Sequence, residues 1–347
     1  MMRSYLDWNA TTPIRPEVKA AMIEALDISG NPSSVHTEGR AAKMALEGAR
    51  QRLASALGAD GADVVFTSGT TEAASMVLGG GGFHCAPVEH SAIKVWCEQD
   101  LAVDGDGIVT VIDPARTSLQ LANNETGVMQ ALPQGLHNSD LTQAFGKVPM
   151  AFNWMGITAG FVSAHKLGGP KGIGALILKK GTEMPALIRG GGQEQGRRAG
   201  TENLVGIMGL AAAAEAAQKD LDAGLWDQVA ARRDLLEGRI RDIAPEAVIA
   251  GKNARRLPNT SCILTSGWKG ETQVMQMDLA GFAISAGSAC SSGKVRASGA
   301  LQAMGFDDQQ AQSAIRVSIS PALDDDQINR FADAWEKAYR RWRSRHA

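Results

Sequence analysis

The chain has 347 residues, 44% of them hydrophobic and 21% charged, enough apolar material to bury a substantial core in one large and one smaller domain. Its 35 basic and 37 acidic side chains leave a formal net charge of -2, which gives no electrostatic case for nucleic acid or for an anionic membrane. No uncharged apolar run is long enough to cross a bilayer and residues 1–7 lack the apolar core of a signal peptide, so the expected address is cytoplasmic.

In chain order, residues 5–13 read as a loop or edge strand, and Pro16 then predicts a helix with Val18, Met22, Ala25 and Leu26 at helical spacing. Gly30-Asn31-Pro32-Ser33-Ser34 reads as a turn. The next helix runs from near His36 to Leu57 and is stopped by Gly58. Asp63–Thr67 predicts a short buried strand that leads through Ser68-Gly69-Thr70-Thr71-Glu72 into an apolar helix. A strand, a glycine turn and a helix start can together hold a phosphate on backbone N–H groups and the helix dipole.

Further strands are expected at residues 119–122, 147–150, 161–163 and 174–178, whereas His137-Asn138-Ser139 do not read as an apolar strand. The alternation predicts an α/β fold with a mainly parallel central sheet covered by helices on both faces. Two long helices fit residues 204–221 and 226–243, as core or domain-joining material. Beyond Pro245 come expected strands at 248–250 and 262–264, a helix near 271–279, a glycine-rich loop around Cys290, a strand at 315–319 and a closing helix from about Asp325. The expected division is a large domain over 15–245 and a smaller α/β domain made of 1–14 and 246–347.

The chemistry is organised around Lys166, in Ser163-Ala164-His165-Lys166-Leu167-Gly168-Gly169-Pro170-Lys171-Gly172. A lysine between a hydroxyl, an imidazole and a glycine-rich turn can lose its proton easily and hold an aldehyde cofactor covalently, and pyridoxal 5'-phosphate is the obvious aldehyde. By itself such a lysine also fits a solvated turn. A pyridoxal enzyme further needs a carboxylate to keep the pyridine nitrogen protonated, and Asp140 fits with one strand expected between it and Lys166, although Asp also serves as a helix cap. Gln143 and Asn124 could hydrogen-bond the cofactor's phenolic oxygen, and His90 could stack on its ring and exchange protons.

Cys85, Cys97, Cys262 and Cys290 are too few for a disulfide framework, and none has Cys-x-x-Cys spacing. The first three read as small buried hydrophobes. Cys290, in Ser288-Ala289-Cys290-Ser291-Ser292-Gly293 with Lys294 and Arg296 close by, has the small neighbours and nearby cations that favour an accessible thiolate, though an idle loop cysteine would look the same.

Residues 5–13, 30–40 (Gly-Asn-Pro-Ser-Ser-Val-His-Thr-Glu-Gly-Arg), 66–73, 89–91, 123–130, 143–149, 163–172, 190–203, 285–296 and 315–318 together resemble a cysteine desulfurase. These are class V, fold type I pyridoxal-phosphate enzymes, and the likeness runs in order over nearly the whole chain. The resemblance implies that Lys166 carries the cofactor and moves the α-proton, Asp140 pairs with the ring nitrogen, His90 stacks on the ring, and Gln143 and Asn124 hold the phenolic oxygen. It places Thr70, Thr71, Ser163 and His165 on the phosphate, with Thr201 reaching the site of the other subunit of a homodimer. Arg316, aided by Asn31, would clamp the carboxylate of L-cysteine. Cys290 would take the substrate's sulfur as a persulfide and pass it to an iron-sulfur scaffold or another acceptor, leaving alanine; no metal is implied.

The sequence departs from this family at Trp8, which suggests a narrower entrance, at Thr158, and in short connections at 79–87 and 113–119. A selenocysteine lyase or an aminotransferase of class V would share Lys166 and Asp140, and a non-catalytic sulfur-carrier or scaffold subunit could keep the fold.

Overall fold

The computed structural model describes residues 3–287 and 297–346. After β1 (Ser4–Tyr5), α1 (Pro16–Leu26) starts on the proline that supplies a preset φ and lacks an N–H to satisfy. α2 (Thr37–Ala56) begins at His36, whose ring accepts the N–H of Gly39 at 3.3 Å. Then follow β2 (Asp63–Thr67), α3 (Thr70–Leu78), β3 (Phe83–His84), α4 (Ser91–Lys94), β4 (Cys97–Glu98), β5 (Leu136–Asp140), β6 (Ile157–Ser163) and β7 (Gly174–Leu178).

These strands make a sheet ordered β2-β7-β6-β5. β5 and β6 are parallel, and β7 runs against both β6 and β2, so β2, β5 and β6 share one direction. Parallel bridges from Ser118 to Asn138 and from Thr117 to His84 carry the same direction outward to β3, which pairs in parallel with β4. All of these except β7 therefore point one way, as the sequence alternation predicts. Both faces are covered: Val64, Phe66, Ala175 and Ile177 join one apolar cluster with α1, α2 and α5 (Leu204–Asp222), while Val65, Leu176 and Leu178 join another with α3. Strands buried on both sides are apolar without alternation, which is how 174–178 was legible.

Two expectations about this sheet need correction. Residues 147–150 do not form a strand; Leu141 to Lys147 is a run of tight turns in which Lys147 and Val148 N–H groups return to the Ala144 carbonyl, and Gly146 takes a positive φ of 75°. Conversely, His137-Asn138-Ser139 lie in β5. Its polar centre is tolerated because Asn138 Nδ2 donates to Ser118 Oγ at 2.6 Å, satisfying a buried amide sideways. Residues 119–122 run beside β5 through Leu119 N–H to Asn138 O and Leu121 N–H to Asp140 O, and then fold back at a bridge from Ala122 to Met129.

The rest of the chain comprises α6 (Leu225–Ile243), β8 (Val248–Ile249), β9 (Thr260–Leu264), α7 (Gly270–Leu279), β10 (Phe282–Ala283), β11 (Ser285–Ala286), α8 (Gly299–Ala303), α9 (Asp308–Ser313), β12 (Ala314–Ser318) and α10 (Asp325–His346). Its sheet is antiparallel, in the order β11-β12-β9-β8, and β1 pairs in parallel with β10. One apolar cluster gathers Leu6, one face of α6, β12 and α10, including Trp268, Trp335 and Tyr339, with the Trp335 and Tyr339 rings stacked 5.3 Å apart. Trp8 packs, half-buried, against this cluster. The helix α6 therefore lends its apolar stripe to the C-terminal layer, while α5 packs on α1 and α2.

Candidate active site

Because β5 and β6 are parallel neighbours, Asp140 at the end of β5 and the turn Ala164–Lys166 after β6 emerge at the same sheet edge. In this turn Gly168 has φ +92°, and a Cβ there would lie 2.4 Å from Arg15 Cγ, so the glycine is required. Lys166 Nζ donates to Asn9 O at 2.6 Å and to Ala10 O at 2.9 Å. Burial, and secondarily the Arg316 charge, lower its pKa to about 8, which makes the free amine accessible near neutrality. His165 is fixed by its neighbours, with Nδ1 3.1 Å from Thr11 Oγ1 and its carbonyl accepting from Thr12. Burial takes the His165 pKa down to about 4, so this imidazole is neutral at pH 7.

Asp140 is buried, and its Oδ1 accepts the N–H of Thr142 at 2.9 Å; its other oxygen has no hydrogen-bond partner among the described residues. Thr142 Oγ1 is 2.6 Å from Thr70 Oγ1, tying the Asp140 turn to the start of α3. There the N–H groups of Thr70 and Thr71 find no acceptor among the described residues, as at any uncapped helix start. Ser163 Oγ lies beside Gly69, 3.6 Å from where a Cβ would stand, and a Cβ on Gly174 would press to 2.7 Å from Gly69 Cα. Glu72, paired with Arg198 at 2.8 Å, secures the turn by accepting Ser68 N–H.

His90 caps α4 by accepting Ala92 N–H at 3.2 Å, and burial lowers its pKa despite its exposed face. Asp140 and Lys166 are both close enough to act on its charge. Beside it, Glu89 accepts Gln120 N–H at 2.6 Å with Oε1, while Oε2 is buried without a partner among the described residues; burial drives this carboxyl's pKa well up. From the second sheet, Arg316 on β12 donates to Asp7 Oδ1 at 2.8 Å and to Asn124 O at 3.1 Å, and its buried Nε has no acceptor among the described residues.

The expected residues are thus not all gathered alike. Lys166, Asp140, His90, Arg316, Thr70, Ser163 and His165 converge. Asn124 contributes its carbonyl, and Gln143 is turned to Asn9 O (3.0 Å) and Lys147 Nζ (2.9 Å). Thr71 is exposed, Asn31 is exposed with its amide oxygen on Ser33 N–H, and Thr201 lines a cavity of about 160 Å³ with Ser68 and Arg198. Cys290, with Lys294 and Arg296, lies outside the described residues. Cys85 and Cys262 are buried and Cys97 is half-buried. Reasoning from the sequence passed over Asn9 and Lys147, although both stand inside stretches that carry the family resemblance; a lysine in an otherwise apolar turn was the available signal.

The donor set fits pyridoxal phosphate: an amine of lowered pKa for the aldehyde, an open carboxylate oxygen for the ring nitrogen, and hydroxyls with free N–H groups at a helix start for the phosphate. Fold and site define a fold type I enzyme of the pyridoxal-phosphate class. Residues 4–98 and 106–331 match the family model described as "Aminotransferase class-V". The cysteine desulfurase of Cereibacter sphaeroides is 38% identical, over 92% of this chain and 91% of that one, and the cysteine desulfurase IscS of Dictyoglomus turgidum is 32% identical over 98% and 95%. The NifS-like protein of Rickettsia africae superposes with a TM-score of 0.87 at 30% identity, covering 97% of this chain and 99% of that one. The chain belongs to the class-V aminotransferase family, in its cysteine desulfurase branch, and this family depends on pyridoxal phosphate.

Proposed function

We propose that this chain converts L-cysteine to L-alanine and transfers the sulfur to Cys290, with pyridoxal 5'-phosphate held covalently on Lys166. The observation that carries the reading is the Lys166 amine, softened by burial, at the sheet edge it shares with Asp140 and facing Arg316. When bound, the cofactor supplies a sink for the electrons of the substrate's Cα–H bond. Asp140 would keep the ring nitrogen protonated, His90 would face the ring, and Gln143 and Asn124 would serve the phenolic oxygen. Thr70, Thr71, Ser163 and His165 would hold the phosphate, with Thr201 acting across a homodimer.

Lys166, as the free amine, takes the α-proton. Arg316 exchanges Asp7 for the substrate carboxylate, with Asn31 assisting; its Nε, without an acceptor among the described residues, leaves donor capacity for that carboxylate. The Cys290 thiolate attacks the substrate sulfur, so the C–S bond breaks, an S–S bond forms, and the carbon is reprotonated to give alanine. The persulfide then passes to an iron-sulfur scaffold or another acceptor protein. The same reading divides the chain into 15–245 and 1–14 with 246–347; the cluster that joins Leu6 to the C-terminal layer supports the share of residues 1–14, and α6 packs into that cluster from the large domain's side of the boundary. It also places the protein in the cytoplasm; among the described residues no helix is long and apolar enough to cross a membrane.

Alanine release from L-cysteine tests this directly. Lys166→Ala is expected to lower turnover by about a hundredfold to ten-thousandfold, the usual range for a positioned proton-transfer group. Cys290→Ala is expected to abolish the persulfide. Wild-type protein loaded with cofactor that releases no alanine contradicts the reading.

A further inference from the structure

Lys147 is one of the largest fully buried side chains, 2% exposed, and it is a lysine. Burying an amine is unfavourable unless its hydrogens are used, and a methionine would fill the same space without that cost. Its Nζ donates to Asn9 Oδ1 at 3.0 Å and to Gln143 Oε1 at 2.9 Å, and no carboxylate pairs with it among the described residues. Gln143 Nε2 donates in turn to Asn9 O at 3.0 Å, the carbonyl that receives Lys166 Nζ at 2.6 Å.

Asn9 is also the point where the two layers of the molecule are tied together. Its Oδ1 accepts Asn259 Nδ2 at 3.0 Å, its Nδ2 donates to Thr260 Oγ1 at 2.8 Å, and its backbone N–H donates to Ser318 Oγ at 3.0 Å. Thr260 begins β9 and Ser318 ends β12, the strand that carries Arg316. A shift of Asn9 would thus move the seat of Lys166 and the anchor of the Arg316 strand together.

Building on the function proposed above, we propose that Lys147 is a positioning residue for Lys166: it clamps the Asn9 side chain and Gln143, and so fixes the carbonyl on which the Lys166 amine rests. Packed against the same space are Arg316, Asp140 and Asp7, whose charges act on Lys166, and His90, His165 and Lys147, on which Lys166 acts. Loosening the clamp lets water reach Lys166. Because burial is the largest cause of its lowered pKa, the expected direction is upward, toward the ordinary 10.5.

The test is pulse acetylation of the full chain without added cofactor across about pH 6 to 11, reading Lys166 by peptide mass spectrometry. Wild-type Lys166 is expected to titrate at about 8. In Lys147→Met the midpoint is expected to rise by about one unit, slowing acetylation at pH 7 roughly tenfold. Asn259→Ala, which removes one bond from Asn9 and leaves Lys147 in place, is expected to give a smaller shift of the same sign; it decides the matter alone if the methionine variant does not fold. A role in packing only leaves the midpoint within about 0.3 unit of wild type in the folded variants, and that result overturns the proposal. The readout needs no turnover: wild-type protein that releases no alanine defeats the proposed function, while the Lys166 midpoint still decides the role of Lys147.

Discussion

Two arginines on the C-terminal layer are buried to nearly the same degree and are held very differently. Arg256 and Glu237, with side chains 7% and 8% exposed, form a two-pronged pair at 2.7 and 2.8 Å, and Ser261 Oγ adds a further donor to the carboxylate. Arg316, 8% exposed, reaches one oxygen of Asp7 and one backbone carbonyl, and its Nε has no acceptor among the described residues. A saturated buried pair fixes structure, since neither member can be removed without stranding the other charge. An under-used guanidinium has planar donor capacity left for a carboxylate brought from outside. The difference between fastening and waiting therefore lies in the partners, not in the residue type or its depth.

The largest expected effect comes from breaking the saturated pair. Arg256→Met leaves Glu237 buried and uncompensated and should cost about 3–5 kcal/mol of stability; denaturant unfolding checks this, with KM for L-cysteine little changed in the folded fraction. The second effect is the mirror image. Arg316→Lys keeps the charge but loses the planar fork, and should raise KM for L-cysteine by about ten- to a hundredfold while costing less stability than Arg256→Met, because no buried charge is left uncompensated. Steady-state kinetics beside a melting curve separates the two. If both variants behaved alike, the contrast between the two arginines would have no functional meaning.

Much of the fold was legible because local signals and burial agreed. Pro16 begins α1, His36 caps α2, and the apolar runs at β2 and β7 are buried on both faces. The polar strand β5 was not legible, because Asn138 is satisfied by Ser118, twenty residues away in the sequence, and no local pattern announces that bond. Residues 147–150 misled for the opposite reason: valine, proline and methionine look extended, yet Gly146 turns the chain and the lysine before them is spent inside the site.

At the site, side chains with their own chemistry, Lys166, Asp140 and Arg316, could be found from motifs. Asn9 could not, since it seats Lys166 through a backbone carbonyl that any residue possesses, and its side chain's partners lie far away in the sequence. Asn124 adds a backbone contribution of the same kind, its carbonyl accepting from Arg316 and from Asn9. Trp8, a departure from the family pattern, packs half-buried against the C-terminal apolar cluster.

The central claim is that one amine, at position 166, carries the cofactor. Borohydride reduction of the pyridoxal-phosphate-loaded protein, followed by peptide mass spectrometry, measures it most directly. The account requires the reduced pyridoxyl group on the peptide containing Lys166. Finding it on Lys147 or another lysine, with Lys166 unmodified, would contradict the account.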